Sequence, residues 1–438
     1  MSSRVSTQRA FRVEQDLNDL FPAKWLYEQA EATGFMQRYR KVDPVLMFWT
    51  VVLGFGVRMQ RSLAGLHRAY QRNAEPENDV NRSSFYKRFD DRLVVFLKTC
   101  VRHAIEHQAG EAGQAMGKRF ERFHDVLVQD STVIRLHESL AKAFPATRSR
   151  VAAAGVKVNL LVSAVSGGAK RVLITGERTA EAKLLKIGAW VKDRILLIDL
   201  GYYKHHAFAR IQENGGYYVS RLKGSADPTI VGLVRKVRGA SINVEGKRVS
   251  EVLPKLKRGV LDCIVEVSFK RRAYNGKSTP DTLRMRLVAV RNEETGEYHA
   301  YITNIMPDVL EAEDIASLYA VRWDIELVFK ELKSRYALDV INTRDPQIVE
   351  ALIWIAILTL LVSRRVYNHA LRRSDPSKFV RYTKQRWSIV FAENAQELRN
   401  RVLMTAGVSW DFMDFDEIYN VQGLDPNINR ERLHDVLW

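Results

Sequence analysis

Residues 194–202 read RILLIDLGY. After Arg194, four apolar residues (Ile195, Leu196, Leu197, Ile198) run without alternation into Asp199. Such a run predicts a short strand buried on both faces. The Asp199-Leu200-Gly201-Tyr202 that follows predicts a turn, with a carboxylate at the C-terminal end of the strand.

The same logic extends in both directions. Val126-Leu127-Val128 runs into Asp130-Ser131-Thr132, again a strand expected to end on an aspartate. Val156 to Ala164 and Arg171 to Thr175 supply two more β-branched runs, with Gly167-Gly168 as the turn between them. Ala180 to Lys192 reads as a helix, His205 to Asn214 as another closed by Gly215-Gly216, and Tyr217 to Leu222 as a strand. Three strands, then helix, strand, helix and strand, is the order of an α/β core of the ribonuclease H-like kind. Asp125 and Asp193 precede their strands and are the decoys among these acids.

Composition sets the outer limits. The chain has 438 residues, 46% apolar, with 18 Phe, 16 Tyr and 8 Trp, enough for an ordered protein of two to four domains. A net charge of +17 favours a polyanionic partner. Nucleic acid comes first and an anionic membrane surface second. The longest apolar runs, Leu46 to Val57 and Ala351 to Val362, hold about a dozen residues each, which suits buried helices better than a bilayer span. Arg4, Arg9, Arg12, Glu14 and Asp16 interrupt the opening segment where a secretory signal would be apolar, so a cytoplasmic, nucleoid-associated protein without a membrane is expected. Cys100 and Cys263 alone indicate neither a disulfide framework nor a thiolate zinc site.

Charge is concentrated between Arg221 and Arg291, where seventeen basic residues face six acidic ones, a net +11. Alternating runs at Cys263 to Phe269 and Arg284 to Val290 make this segment β-rich. A basic surface that tracks a polyanion accounts for the excess better than evenly solvated charge. Near the N-terminus, Ser83 or Ser84 is positioned to cap a helix displaying Tyr86, Lys87 and Arg88 after a short helix at Arg61 to Gln71. A helix-turn-helix reader and a plain basic face on a helical bundle fit this equally. Arg4, Gln8, Arg9 and Arg12 read as a DNA-contacting arm or a frayed terminus.

Tyr319 to Lys333 reads YAVRWDIELVFKELK. On one continuous helix, Tyr319, Arg322, Glu326, Lys330 and Lys333 fall within about 40° of a single stripe, with Trp323 at about 60° beside it. Leu318, Val321, Ile325, Val328, Phe329 and Leu332 form the adjoining apolar arc. Taken alone, Glu326 reads as one side of an i, i+4 ion pair with Arg322 or Lys330. Taken with Asp130 and Asp199, it reads as the third of three carboxylates far apart in sequence. Only the fold can bring such a set together. Hard cations such as Mg2+ prefer oxygen ligands, and two of them can serve both oxygens of a phosphodiester exchange. In that reading Asp130 bridges both ions while Asp199 and Glu326 bind one each. In the competing reading each aspartate is a turn or helix cap.

The Asp130-Ser131-Thr132 and Asp199-Leu200-Gly201-Tyr202 motifs, with Tyr319, Arg322, Glu326 and Lys333 at the spacing Tyr-(2)-Arg-(3)-Glu-(6)-Lys, resemble the DDE transposases of bacterial insertion sequences, insertion sequence 4 type. The likeness covers roughly residues 120 to 345. It implies an α/β fold with a ribonuclease H-like core, a β-rich insertion and flanking helical regions. The expected divisions are 1–118 helical and DNA-binding, 119–222 first part of the core, 223–305 basic insertion, 306–345 the helix of the catalytic Glu, and 346–438 helical and dimerising. It implies catalysis by Asp130, Asp199 and Glu326 holding Mg2+, two ions, with Mn2+ as a substitute. It further implies double-stranded DNA as partner, binding of terminal inverted repeats, a homodimeric synaptic complex, and cut-and-paste strand cleavage and transfer. Tyr319, Arg322 and Lys333 would contact phosphates, with Lys330 as a further contact. Some members stack a flipped base of a hairpin intermediate on an aromatic residue, a role open to Trp323, Tyr298 or Tyr301, for which packing is the alternative. A catalytically silent DNA-binding derivative and a nuclease without strand transfer are the competing functions.

Overall fold

The structure, a computed structural model, describes residues 12–37, 42–54, 62–71, 74, 80–108, 116–147, 153–234, 243–271, 277–336, 338, 341 and 343–406. The arm around Arg4, Gln8 and Arg9, Arg61, most of the Asn73 to Asn81 stretch with Pro76, the basic residues Arg235, Lys236, Arg238 and Arg272, and the tail from residue 407 lie outside the described residues.

The central element is a nine-stranded mixed sheet: β1 (Asp125–Leu136), β2 (Ala154–Ser163), β3 (Ala169–Gly176), β4 (Arg194–Ile198), β5 (Tyr217–Arg221), β6 (Thr229–Leu233), β7 (Val260–Lys270), β8 (Pro280–Arg291) and β9 (Tyr298–Thr303). Their spatial order is β3-β2-β1-β4-β5-β9-β8-β7-β6. β1 runs parallel to β4, and β4 to β5, while every other pairing is antiparallel. The basic β-rich segment is therefore an extension of the same sheet, because β9 hydrogen-bonds to β5 through Val219–Thr303, Ser220–Ile302 and Arg221–Tyr301.

Two cores cover the two faces, and period-2 alternation sorts the strands between them. On β4, Ile195 and Leu197 enter the first core, and Leu196 and Ile198 the second. β4 is thus buried on both sides, as its sequence predicts. The first core gathers α1 (Val13–Leu20), α2 (Ala23–Ala32), α3 (Pro44–Gly54), α4 (Leu63–Gln71), α5 (Arg82–Tyr86), α6 (Asp91–Gln108), α9 (Ala312–Ala320), α10 (Trp323–Ser334), α11 (Pro346–Arg373) and α12 (Lys384–Met404). The second holds α7 (His205–Glu213) and the single turn α8 (Val249–Val252). N-terminal and C-terminal helices share one core, with α11 against α6 and α12 against α3.

Four expectations need correction. Asp130 does not end its strand: Ser131 and Thr132 pair with Asn159 and Val158, so β1 continues to Leu136. Ala180 to Lys192 is not one helix but two single 3-10 turns, Glu181–Lys183 and Ala189–Val191, separated where Gly188 adopts extended backbone. The helix after Asn81 is one turn long and is capped by Asn81, whose Oδ1 accepts from the Ser84 N–H at 2.8 Å, not by a serine. The apolar run at Ala351 to Val362 belongs to a 28-residue helix, α11, long and apolar enough to cross a membrane by length and composition. Its most apolar window is 78% buried within the protein, which makes it the central helix of the first core. Arg364 and Arg365, next along α11, are buried with carboxylate partners, Glu331 and Asp16.

Candidate active site

Register and alternation place the two aspartates. In the parallel β1–β4 pair, Gln129 stands opposite Ile198, so the next step sets Asp130 beside Asp199. Val126 and Val128 on β1, and Ile195 and Leu197 on β4, enter the first core. Two residues further along each chain, Asp130 and Asp199 share that face. Asp199 also serves as a cap: its Oδ2 accepts from the Gly201 N–H at 3.2 Å and starts the 3-10 turn Leu200–Tyr202. The structural reading of that residue and the chemical one are compatible.

The third carboxylate comes from helix α10 on the same face. Ile325, Val328 and Leu332 are buried in the first core, and each such side chain contributes about 1.5–3 kcal/mol relative to exposure. They fix the rotation of α10 and with it the direction of Glu326. Tyr319 to Lys333 is not one uniform helix: α9 ends at Ala320, and the N–H groups of Val321, Arg322, Asp324 and Ile325 bond three residues back. This tightened 3-10 junction departs from uniform α-helical angles and places Arg322 at the N-cap of α10.

Arg322 joins the set. Its Nη2 donates to Glu326 Oε1 at 3.2 Å, its Nη1 lies 3.8 Å from Asp130 Oδ2, and its Nε lies 3.7 Å from Asp199 Oδ1. The i, i+4 pair expected from sequence is present, but the same guanidinium also reaches the other two carboxylates. Burial pulls the Arg322 pKa down, yet Asp199, Tyr319, Asp130 and the bond to Glu326 outweigh it and leave it raised. Burial pushes the Asp130 carboxyl up to about 6, with Asp199 and Glu181 acting the same way and the Ser131 N–H and Arg322 opposing.

The remaining predicted residues divide. Tyr319 packs its ring 5.3 Å from Tyr301 and lies 5.9 Å from the Arg322 guanidinium carbon. Trp323 is 62% exposed, with the same carbon 5.6 Å from its ring. Lys330 is exposed and Lys333 half-buried, and neither has a carboxylate partner among the described residues. Tyr298 is not brought to the carboxylates. It packs against the second core, and its hydroxyl donates to the carbonyls of Leu256 and Arg258, because residues 298 and 301 of β9 alternate to opposite faces. Of the basic segment, Arg286 is fully enclosed and Arg271 and Arg284 are paired with acids, so part of its charge is structural. Asp125 is occupied by Ser163 Oγ at 2.7 Å and Lys170, and Asp193 adopts a left-handed turn, φ 56°.

Sequence reasoning missed a supporting layer behind β1. Ser131 Oγ donates to Glu181 Oε1, with Lys157 Nζ 3.9 Å from the same oxygen. Asn159 Nδ2 donates to the Asp130 carbonyl at 3.2 Å and to the Tyr202 hydroxyl, while Gln129 donates to Asn159 and Arg171 to Gln129. Glu181 reaches over Gly201 so closely that a Cβ there would displace its carboxylate. The polar Lys157 and Asn159 within an apolar strand were the visible signal; Glu181 was hidden in a segment read as a regular helix.

Three oxygen donors around one positive group suit a hard divalent cation in type. In their present positions they centre on the Arg322 guanidinium, and among the described residues no three acidic, His or Cys side chains form a closed metal-holding set.

Asp130 on β1 and Asp199 just past β4 lie side by side, with the helix-borne Glu326 drawn to the same guanidinium. The chain belongs to the transposase DDE domain family, whose model matches residues 121–362, more than half of its length. Among individual relatives, it is similar to the transposase for insertion sequence element IS1151 of Clostridium perfringens, 21% identical over 307 residues, covering 64% of this chain and 65% of that one. It is likewise similar to the transposase for insertion sequence element IS231F of Bacillus thuringiensis subsp. israelensis, 21% identical over 378 residues, covering 77% and 76%. The chain thus spans just under two thirds of the Clostridium relative. Among solved structures, a piggyBac transposase synaptic complex with hairpin DNA aligns over 97% of this chain and 88% of that one, at a TM-score of 0.47 and 10% identity.

Proposed function

We propose that this chain is the transposase of a bacterial insertion sequence, of the subgroup marked by Tyr319, Arg322, Glu326 and Lys333, and that it cuts and rejoins DNA at Asp130, Asp199 and Glu326. The observation that carries the reading is that one guanidinium, Arg322, lies within 4 Å of all three carboxylates. Membership of the DDE family supports it. So does the order β3-β2-β1-β4-β5, with β1, β4 and β5 parallel, which is that expected of a ribonuclease H-like core.

Asp130, Asp199 and Glu326 would hold Mg2+, or Mn2+ in its place. Bound there, the metal supplies activation of the attacking oxygen and stabilisation of the leaving oxygen of a phosphodiester. The chain's own groups do the rest. Arg322 neutralises the carboxylates until DNA arrives and then turns to a phosphate, for which a fork of N–H donors is suited. Lys330 and Lys333 on α10 meet the backbone beyond the cut. Trp323, exposed beside Arg322, offers a ring on which a base can stack. The helices up to about residue 118 grip the terminal repeat, the basic strands track the duplex, and two copies pair two ends in the bacterial cytoplasm.

A short duplex carrying the terminal repeat that flanks the reading frame, incubated with the full chain and Mg2+, tests this. Cleavage at the repeat followed by joining of the 3′ ends to target DNA is expected. Cleavage without joining would make it a nuclease, and metal-independent binding without nicking would make it a DNA-binding derivative. Affinity is expected to fall by roughly 10³-fold between 50 and 200 mM salt, and a flat response would contradict phosphate tracking.

A further inference from the structure

Helix α10 has a second polar face that the reaction above does not use. Asp324 and Glu331 lie roughly 160° and 140° around the axis from Glu326, turned away from the carboxylate trio. Each is held by a cation from the C-terminal helices. Arg364 of α11, 1% exposed, donates through Nη2 to Glu331 Oε2 and through Nε to the Gly167 carbonyl at 3.2 Å. Lys384, the first residue of α12, has its Nζ 3.6 Å from Asp324 Oδ2 and donates to the Ala164 carbonyl at 3.1 Å. Ala164 and Gly167 belong to the turn between β2 and β3. β2 is paired residue for residue with β1, Leu160 opposite Asp130. Each cation therefore bonds the helix of Glu326 at one end and the sheet of Asp130 at the other.

The surroundings leave little slack. Gly167 has a left-handed backbone, φ +67°, and a Cβ there would come within 2.8 Å of Lys384 Cε and 3.2 Å of Arg364 Nε. The Tyr336 hydroxyl lies 2.7 Å from Glu331 Oε1 and 2.8 Å from Ser363 Oγ, and the Trp387 indole N–H donates to the Ser363 carbonyl. An ion pair in such a place adds little net stability over apolar residues of the same shape, so its effect is to fix orientation. Arg364 and Lys384 also lie beyond the residues matched by the family model, 121–362.

We infer that Arg364 and Lys384 are positioning residues which lock the helix carrying Glu326 to the β2–β3 turn, and so set the spacing between Glu326 and Asp130. The inference rests on the metal reading proposed above. Spacing errors of about 1 Å between catalytic groups lower function by up to about a hundredfold, which makes the clamp part of the site rather than a general brace.

The test uses the full chain without DNA and Mn2+ as the probe, with free Mn2+ followed by electron paramagnetic resonance. The unmodified chain should bind Mn2+ at a site that Asp130→Asn removes. Lys384→Met and Asp324→Asn should each weaken that binding about tenfold, and the double variant no further than either alone. Arg364→Met combined with Glu331→Leu, which leaves no buried charge unpaired, should give the same loss. Mn2+ affinity equal to the parent's in the Lys384 and Asp324 variants, whatever happens to their melting temperatures, would overturn the inference and leave a structural brace. Absence of any Mn2+ site sensitive to Asp130→Asn would instead remove the metal reading itself, and the inference with it.

Discussion

Two arginines show how differently this fold treats a guanidinium. Arg286, on β8, is fully enclosed; it meets Asp262 through two parallel bonds of 2.9 and 2.7 Å and the carbonyls of Ile305 and Leu310 at 3.1 and 2.7 Å. Arg322, at the α9–α10 junction, is 12% exposed. Among the described residues it has one hydrogen bond of 3.2 Å and two carboxylates at 3.7 and 3.8 Å, and its Nε has no hydrogen-bond partner. The first is a satisfied structural tie. The second is surrounded by more negative charge than it can bond, at distances that a phosphate or a metal ion can rearrange. Burial alone does not tell these two arginines apart; the contacts of Arg322, with two of its three carboxylates beyond hydrogen-bond distance, do.

The two arginines should differ most in what they contribute to stability. Arg286→Met leaves Asp262 buried and unpaired, and should cost about 3–5 kcal/mol by urea unfolding, most of it recovered when Asp262→Leu is added. Arg322→Met should cost about 1 kcal/mol or less, because its partners reach water, and Mg2+ should offset even that. Equal losses at the two positions would erase the distinction.

A smaller effect is expected in pH dependence. Asp130, raised to about 6 chiefly by burial, holds its proton more tightly when folded than when unfolded. Without metal its contribution to stability is fully present below the ordinary carboxylate range and is lost as pH rises through about 6. Metal and proton compete for the same oxygens. The Mg2+ concentration giving half-maximal cleavage should therefore rise about tenfold for each pH unit below 6 and level off above it. A requirement that is constant from pH 5 to 8 would mean that Asp130 does not meet the metal.

Much of this was legible in the chain. The apolar runs at 126–128 and 195–198 and the β-branched run at 156–164 carry their own pattern, so the strands and the two aspartates beside them can be read locally. Asp130 nonetheless reads locally as a strand end, since Ser131 and Thr132 resemble a turn until Asn159 and Val158 pair with them. The break at Val321 and Arg322 carries no Gly or Pro to announce it. Glu181 and the Arg364–Glu331 and Lys384–Asp324 ties depend on contacts 33 to 220 residues apart, for which no local pattern exists. The +11 between Arg221 and Arg291 is a sum along the chain and not a surface, because Arg286 faces inward.

In the proposed reaction Asp130, Asp199 and Glu326 act as one unit. The direct measurement is cleavage of the terminal-repeat duplex by Asp130→Asn, Glu326→Gln and the double variant. Each single change should lower the rate by roughly 10²–10³-fold. The double variant should be no slower than either, since groups acting as a unit do not add. A single variant that cleaves at the parent's rate, or losses that multiply, would contradict it.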